Sequence, residues 1–243
     1  MHLVIDIGNT IAKLAAFQGE NLIEVQKDFS GTLEMLSGFV EKYNFRKGIV
    51  SSVAGANAQV QTRLNSLSFP IIEFSHKTPV PIRNAYRTPE TLGMDRLAAV
   101  VGAVSMRPST PLLIVDAGTA ITYDFVDETG VYWGGNISPG IETRFKALHT
   151  FCARLPLVKQ DGDMPDFGYS TETAIRSGVL RGVQLEIEGY IAEMKQQKPE
   201  LFTFLTGGGA FSFDVKAKND IFADVFLVLK GLNSILNYNE VNP

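Results

Sequence analysis

The chain has 243 residues, of which 45% are hydrophobic and 20% are charged, and its formal net charge is −4. This composition predicts a globular protein with a sizeable core, in one large domain or two small ones. Basic and acidic residues are interspersed, and no apolar run approaches the roughly 20 residues of a membrane-spanning helix, which argues against a nucleic-acid-binding surface and an integral membrane protein.

The first predicted element is an apolar strand that ends on a carboxylate. In LVIDIGNT (Leu3 to Thr10), apolar residues run into Asp6, and the chain then turns at Gly8. The segment IAKLAAFQGENLIEVQ that follows predicts a strand, a turn near residues 18–20 and a return strand. Strand-like sequence begins directly after Met1, so we expect no signal peptide.

Three helices and one buried strand complete the first half. Apolar spacing predicts helices over residues 33–45 and 56–67, and KGIVSSV between them predicts a buried strand. A further helix begins near Gly93, and RPSTP at residues 107–111 interrupts it. We expect the boundary between two halves of the chain at this break.

The second half begins as the first does. LIVDAGTA (Leu113 to Ala120) again predicts a strand that ends in Asp-x-Gly, and a hairpin follows with its turn near residues 127–130. The later elements are predicted helices over 142–154 and 171–194, a buried strand in LFTFLTGGG and a helix over 226–238. We expect Trp133 in the core, and the single cysteine, Cys152, as a small buried residue of a cytoplasmic protein.

The two strand-turn segments align without a gap, so that Asp6 matches Asp116. Because each segment opens a similar hairpin, the pattern indicates a duplication. We therefore predict an α/β protein with one domain over residues 1–110 and a second over residues 111–243.

The residue types in these turns suit phosphate chemistry. A glycine lets a ligand approach the backbone, the amides after it can donate to phosphate oxygens, and an aspartate suits a hydrated Mg²⁺ ion. Two such turns facing each other would hold the phosphates of one nucleotide from both sides. A single copy would more simply be a structural turn.

Three charged residues could take part in phosphate transfer. Lys13 follows the first turn and could reach a β- or γ-phosphate, or it could lie in solvent. Asp95 and Arg96, in TLGMDR, could act as the base for an acceptor hydroxyl and as the partner of an acidic group on the substrate. The alternative for Asp95 is structural, because the helix dipole favours an aspartate in a first turn.

Two further segments have alternative interpretations. The glycine turn in LTGGGA (Leu205 to Ala210) could lie along an adenosine or form a tight strand-to-helix connection. Ser170 and Thr171, at the start of a predicted helix, are both typical capping residues.

In this order the motifs resemble those of the type III pantothenate kinases, members of the acetate and sugar kinase/Hsc70/actin superfamily. DIGNTIAK is similar to the family's first phosphate motif, YRTPETLGMDR to its substrate segment and DAGTAITYD to its second phosphate turn. GGNISPG, the helix start at residues 170–171 and the turn at residues 206–208 follow in family order. The resemblance implies an α/β fold of duplicated ribonuclease H-like (actin-like ATPase) halves around a central nucleotide cleft. It also implies ATP-dependent phosphorylation of pantothenate to 4′-phosphopantothenate, the first step of coenzyme A biosynthesis.

The resemblance further implies roles for single residues. Asp95 would be the catalytic base at the 4′-hydroxyl, and Asp116 would hold a monovalent cation, K⁺ or NH₄⁺, alongside Mg²⁺ carried by the nucleotide. The ATP contacts would be Asp6, Ile7, Gly8, Asn9, Thr10, Ile11, Ala12, Lys13 and Thr119. The pantothenate pocket would be lined by Tyr86, Gly93, Met94, Asp95, Arg96 and Thr171.

Members of the family are homodimers in which the residue matching Thr171 reaches the partner's pantothenate site, and the same is implied here. One position departs from the family pattern, because Gly209 stands where Thr-Gly-Gly-Asp-Ala has its aspartate. Two alternatives remain at this stage: a related kinase for another small acidic or sugar acceptor, and a non-catalytic ATP-binding regulator. Arg96 beside Asp95 favours an acidic acceptor.

Overall fold

The computed structural model of the chain describes residues 1–8, 11–52, 57–208 and 220–241. The chain divides into two compact units: unit 1 is Met1–Ser109, Glu128–Trp133 and Phe226–Pro243, and unit 2 is Thr110–Asp127 and Gly134–Val225. The chain thus passes from unit 1 to unit 2 within the predicted break at residues 107–111, and its C-terminal residues return to unit 1. The division into domains over 1–110 and 111–243 stays a prediction. None of the described helices is both long and apolar enough to cross a membrane.

The described residues form both strands and helices. The strands are β1 (His2–Ile7), β2 (Ala12–Gln18), β3 (Asn21–Asp28), β4 (Lys47–Ser52), β5 (Ile71–Glu73), β6 (Arg83–Asn84), β7 (Leu112–Ala117), β8 (Ala120–Val126), β9 (Val131–Pro139), β10 (Phe202–Thr206) and β11 (Ile221–Ala223). The helices are α1 (Leu36–Glu41), α2 (Ala58–Asn65), α3 (Met94–Met106), α4 (Ile141–Phe151), α5 (Thr171–Gln197) and α6 (Leu227–Val241), with a 3₁₀ helix at Pro89–Thr91.

The sheet of unit 1 places Asp6 near the carboxyl end of its central strand. Its strands lie in the order β3-β2-β1-β4-β5. β1 pairs antiparallel with β2 and parallel with β4. Leu3, Val4 and Ile5 are all buried, and because successive residues of a strand face opposite sides, both faces of β1 are covered.

Helix α6 supports both the sheet of unit 1 and helix α3. It packs against β1, β4 and α3. Two glycines permit the close approach of α3 and α6: a Cβ on Gly102 would lie 2.5 Å from the Leu227 carbonyl oxygen, and one on Gly231 would overlap the Ala98 carbonyl oxygen. The position of α3 is therefore fixed by direct backbone contact with α6.

Unit 2 has strands in the order β11-β10-β7-β8-β9, with β7 antiparallel to β8 and parallel to β10. The first residues of β9, Val131 and Tyr132, belong to unit 1 and pair there with β6. α4 packs against α5. α5 contributes one residue per turn to the core, namely Ile175, Val179, Val183, Ile187 and Ile191.

The predicted strands, hairpin turns and most helices are confirmed. The helix predicted over residues 33–45 is shorter, because Asp28 accepts a hydrogen bond from the Met35 N–H at 3.0 Å and holds the preceding residues in a turn. The expected burial of Cys152 is wrong: it is exposed, since it follows the last turn of α4 as the C-cap residue. Trp133 is also not a core residue, with 59% of its surface exposed.

Candidate active site

Asp6 is a buried carboxylate in a row of polar side chains. In the strand register its partners are Lys13 on β2 and Ser51 on β4, and paired residues of neighbouring strands project from the same face. Asp6 is 9% exposed. Burial raises the pKa of Asp6 to about 6 against the opposing charge of Lys13, and the charge of Asp95 adds to the increase. The structure therefore brings Asp6, Lys13 and Asp95 into one electrostatic environment.

The first turn closes directly after Asp6. The Gly8 N–H donates to the Ile11 carbonyl oxygen at 3.2 Å, and a Cβ on Gly8 would lie 3.2 Å from that oxygen. A glycine at this position lets the turn close without a displaced neighbour. Asn9 and Thr10, two of the predicted ATP contacts, lie outside the described residues.

Asp95 lies in the first turn of α3, as the sequence predicts. The Arg96 N–H donates to Asp95 Oδ1 at 2.8 Å, and a Cβ on the N-cap residue Gly93 would lie 2.6 Å from the same oxygen. Gly93 thus leaves space for the carboxylate to fold back over the helix start. The charge of Asp95 also contributes to the raised pKa of Asp6 near the end of β1.

Arg96 and Tyr86, both predicted substrate contacts, lie next to each other. The Arg96 guanidinium carbon is 5.8 Å from the centre of the Tyr86 ring, and Arg96 is 7% exposed. The Tyr86 ring stacks on Tyr132 with ring centres 6.2 Å apart and planes 6° apart. The Tyr86 N–H donates to Asn84 Oδ1 at 2.9 Å, which ties the segment to β6. The two stacked tyrosine rings therefore form one side of the space next to the Arg96 guanidinium.

The second turn begins at Asp116, near the end of β7. Its partner on β10 is Thr206, and the next residue, Gly207, has a φ of +88°. A Cβ on Gly207 would overlap Asp116 Oδ1, so the glycine turn after β10 lies against the Asp116 carboxylate. Thr119 is exposed. Gly209, where the sequence departs from the family pattern, lies outside the described residues.

Thr171 is the first residue of α5, and the cap is its neighbour Ser170. The Ser170 hydroxyl accepts the Thr173 N–H at 3.2 Å, and the Thr173 hydroxyl accepts the Ser170 N–H at 3.0 Å. This reciprocal capping box satisfies the helix start without Thr171. Thr171 itself is exposed.

Several residues at these sites carry no motif and were not predicted from the sequence. Tyr132 contacts Tyr86 only because β6 pairs with the start of β9. The Ser51 hydroxyl is buried beside Asp6 and has no hydrogen-bond partner. The doubled serine at the end of KGIVSSV is the signal that could have drawn attention to it, since polar residues are uncommon at the end of a buried strand.

Solved structures show the same fold. A Campylobacter jejuni protein described as a Baf family transcriptional activator is similar with a TM-score of 0.62 at 23% identity, over 98% of this chain and 99% of that chain. MreB5 of Spiroplasma citri bound to ADP is similar with a TM-score of 0.50 at 11% identity, over 99% of this chain and 97% of that chain. At these identities the likeness concerns the fold alone, and it confirms the predicted α/β class of duplicated ribonuclease H-like, actin-like ATPase halves.

Sequence comparison gives the family. A family model described as type III pantothenate kinase matches residues 2–193. A type III pantothenate kinase of Bacteroides fragilis is 56% identical over 240 residues, which are 99% of each chain. Since the model spans most of the chain and the relative spans nearly all of it, the chain belongs to the type III pantothenate kinase family.

Proposed function

We propose that the residues around Asp6 and Asp95 carry out the ATP-dependent phosphorylation of pantothenate to 4′-phosphopantothenate. Membership of the type III pantothenate kinase family gives this reaction, the first step of coenzyme A biosynthesis. One observation carries its assignment to these residues: the buried Asp6 is paired with Lys13 in the strand register, and the charge of Asp95 contributes to its raised pKa. Phosphoryl transfer needs such an arrangement, with a carboxylate for the acceptor hydroxyl next to the groups that hold the phosphates.

In the proposed reaction, Asp95 accepts the proton of the pantothenate 4′-hydroxyl as that oxygen attacks the γ-phosphorus of ATP, and ADP leaves. Residues 6–13 bind the phosphates, and the Lys13 ammonium offsets their charge. Asp6 fits a Mg²⁺ ion carried by ATP, because Mg²⁺ takes one or two carboxylates together with phosphate oxygens and water. The ion supplies charge neutralisation when it is bound.

Pantothenate recognition is proposed to centre on Arg96. Its planar guanidinium presents paired donors that suit a carboxylate, and its carbon lies 5.8 Å from the centre of the Tyr86 ring. Gly93 and Met94 would line the remainder of the pocket at the start of α3. The buried position of Arg96 strengthens its interaction with an acidic group, since little water competes there.

The second turn is proposed to bind ATP through Thr119 and a monovalent cation, K⁺ or NH₄⁺, through Asp116. The half-buried Asp116 carboxylate beside Gly207 would supply one oxygen ligand. A monovalent cation near the phosphates would add positive charge without the strict octahedral geometry that Mg²⁺ demands.

We also propose a homodimer in which Thr171 contributes to the partner's pantothenate site. Thr171 is exposed and not used as a cap, and Phe167 and Tyr169 just before it are 90% and 73% exposed. Exposed aromatic side chains suit an interface. Mixed dimers test this: one subunit carries Thr171→Ala and the other Asp95→Asn. A site shared between subunits leaves one competent site per mixed dimer, whereas a site within one subunit leaves none and contradicts the proposal.

The reaction is tested by ADP release from MgATP, with and without pantothenate, in sodium and in potassium buffer. Release that depends on pantothenate and increases with potassium supports both the reaction and the cation site. Pantothenate-dependent ADP release that is equal in both buffers supports the kinase assignment and contradicts the monovalent cation site. Folded protein that binds ATP but gives no pantothenate-dependent release would instead indicate another acceptor or a regulator. Because ATP is a cytoplasmic substrate, we place the protein in the cytoplasm.

A further inference from the structure

The start of α4 donates hydrogen bonds to the backbone of the second turn, at Thr119. The Thr119 carbonyl oxygen accepts two hydrogen bonds, one from the Gly140 N–H at 3.0 Å and one from the Thr143 hydroxyl at 2.7 Å. Both donors come from the first turn of the helix region that begins after β9. The backbone of Thr119 is therefore fixed although its side chain is exposed.

Gly140 is needed at this contact for space. Its φ of −70° and ψ of 173° are open to any residue, so backbone conformation does not require glycine. A Cβ at this position would overlap the Gly118 carbonyl oxygen and lie 2.7 Å from the Thr119 carbonyl oxygen. Any other residue would force α4 away from the turn and break both hydrogen bonds to Thr119.

The start of α4 is itself anchored by a partly buried ion pair. Arg144 donates to the Pro139 carbonyl oxygen through Nε at 2.7 Å and to Glu186 Oε2 through Nη2 at 2.5 Å. Glu186 Oε1 also accepts hydrogen bonds from Tyr123 on β8 at 2.7 Å and from Ser138 on β9 at 2.5 Å. One carboxylate on α5 thus joins the strand that leaves the turn, the strand before α4, and α4.

The charge on Glu186 is maintained by these partners. Burial alone would raise the pKa of Glu186, but hydrogen bonds from Ser138, Arg144 and Tyr123 outweigh burial and lower it. The carboxylate is therefore ionised at neutral pH, and the ion pair with Arg144 persists there.

The hydrogen bonds from the Gly140 N–H and the Thr143 hydroxyl also affect the N–H of the Thr119–Ala120 peptide. This peptide is trans, so its N–H points away from its carbonyl and hence away from α4. Hydrogen bonds to a carbonyl oxygen polarise the peptide and make its N–H a stronger donor. We propose that Thr143 is a positioning residue for catalysis, which orients and polarises this peptide so that its N–H binds a phosphate oxygen of ATP. The proposal rests on the proposed role of the second turn in ATP binding.

The test is the change Thr143→Val, which removes the hydroxyl and nearly keeps the shape. Loss of one hydrogen bond of this kind predicts an increase of about three- to tenfold in the KM for ATP and in the Kd for a non-hydrolysable ATP analogue. The KM for pantothenate is expected to stay at the wild-type value, and the melting temperature should fall by no more than the roughly 2–4 °C that one lost hydrogen bond costs. Thr143→Ser keeps the hydroxyl and should restore ATP binding. Thr150→Val, an exposed threonine at the end of the same helix, is the matched control and should behave as wild type.

Two outcomes would overturn the role proposed for Thr143. An unchanged affinity for ATP in Thr143→Val, with an active wild-type enzyme, overturns the proposal. A loss that affects both substrates and the melting temperature together, without recovery in Thr143→Ser, also overturns it in favour of a purely structural contact. Failure of the kinase assignment would appear differently, as wild-type protein with no pantothenate-dependent ADP release.

Discussion

The carboxylates of Asp6 and Asp95 interact although they come from different elements of unit 1, the central strand β1 and the start of helix α3. Burial, with a smaller contribution from the negative charge of Asp95, raises the pKa of Asp6 to about 6. Lys13 is the positive charge that opposes both effects. Because the two carboxylates repel each other, they destabilise the protein in the absence of ligands. Bound cations and a substrate hydroxyl would make the same pair of carboxylates favourable. This arrangement is expected of a phosphoryl-transfer site.

The first prediction concerns stability without nucleotide or metal. The unfolded chain loses the Asp6 proton above its ordinary pKa of 3.8, whereas the folded chain loses it only near pH 6, so Asp6 destabilises the fold progressively between these values and fully above them. Asp6→Asn should therefore increase the free energy of unfolding by on the order of 2 kcal/mol at about pH 8 and by little at about pH 4. Urea unfolding at both pH values measures this. The exposed Asp161→Asn is the control, and an equal gain at both pH values would contradict the prediction.

The second prediction concerns catalysis by Asp95. Asp95→Asn should lower kcat by about 10²- to 10⁴-fold, because an amide cannot accept the hydroxyl proton, while the Kd for ATP changes little. Since Asp95 raises the pKa of Asp6, the same change should move the acidic limb of ATP binding to lower pH. Steady-state kinetics and ATP titration at several pH values check both effects. Glu90→Gln, in the 3₁₀ helix before α3, is the control; a kcat in Asp95→Asn equal to that of the control would remove the base role.

The third prediction concerns substrate selection by Arg96. Arg96→Lys should raise the KM for pantothenate by about 10- to 100-fold, because an ammonium cannot form the paired hydrogen bonds of a guanidinium, and it should leave the KM for ATP within about twofold. The variant should also lose discrimination against the analogue in which a primary alcohol replaces the carboxylate. Competition between the two acceptors measures this. Exposed Arg87→Lys is the control, and retained discrimination in Arg96→Lys would exclude Arg96 as the carboxylate partner.

The fourth prediction concerns the contact between α3 and α6. Gly231→Ala introduces a Cβ that overlaps the Ala98 carbonyl oxygen, so the two helices must separate, at a cost of about 1–3 kcal/mol. Gly189→Ala on α5 meets nothing within 4 Å and should be neutral or slightly stabilising. Urea unfolding distinguishes the two variants. Because Asp95 lies on α3, Gly231→Ala should also lower kcat, and equal stability of the two variants would show that the close contact is not needed.

Local pattern explains why the elements around Asp6 and Asp116 could be predicted. Each is an apolar strand followed by Asp-x-Gly and a hairpin, and these signals lie within a few neighbouring residues. The shortened helix α1 could not be predicted, because its start depends on a side-chain contact to Asp28.

The residues missed at the site depend on pairing between distant segments. Tyr132 meets Tyr86 through the β6–β9 pairing, and Ser51 joins Asp6 through the register of β4 against β1. Thr143 reaches Thr119 only because Gly140 lets the start of α4 touch the turn. No periodicity or short motif encodes these contacts, since each needs the fold to be known first.

Because α6 supports α3 and is synthesised after it, the order of chain synthesis affects when the proposed site can form. The helix joins the beginning of the chain to its end, with the Asn233 amide donating to the Gly19 carbonyl oxygen at 2.9 Å and Lys47 Nζ lying 2.6 Å from Glu240 Oε1. A ribosome therefore releases Asp6 and Asp95 well before the segment that seats α3 on the sheet. A nascent or prematurely terminated chain then carries every proposed catalytic residue without the helix that supports them. We therefore expect a chain that lacks α6 to be inactive, so that interrupted products of translation would not consume ATP.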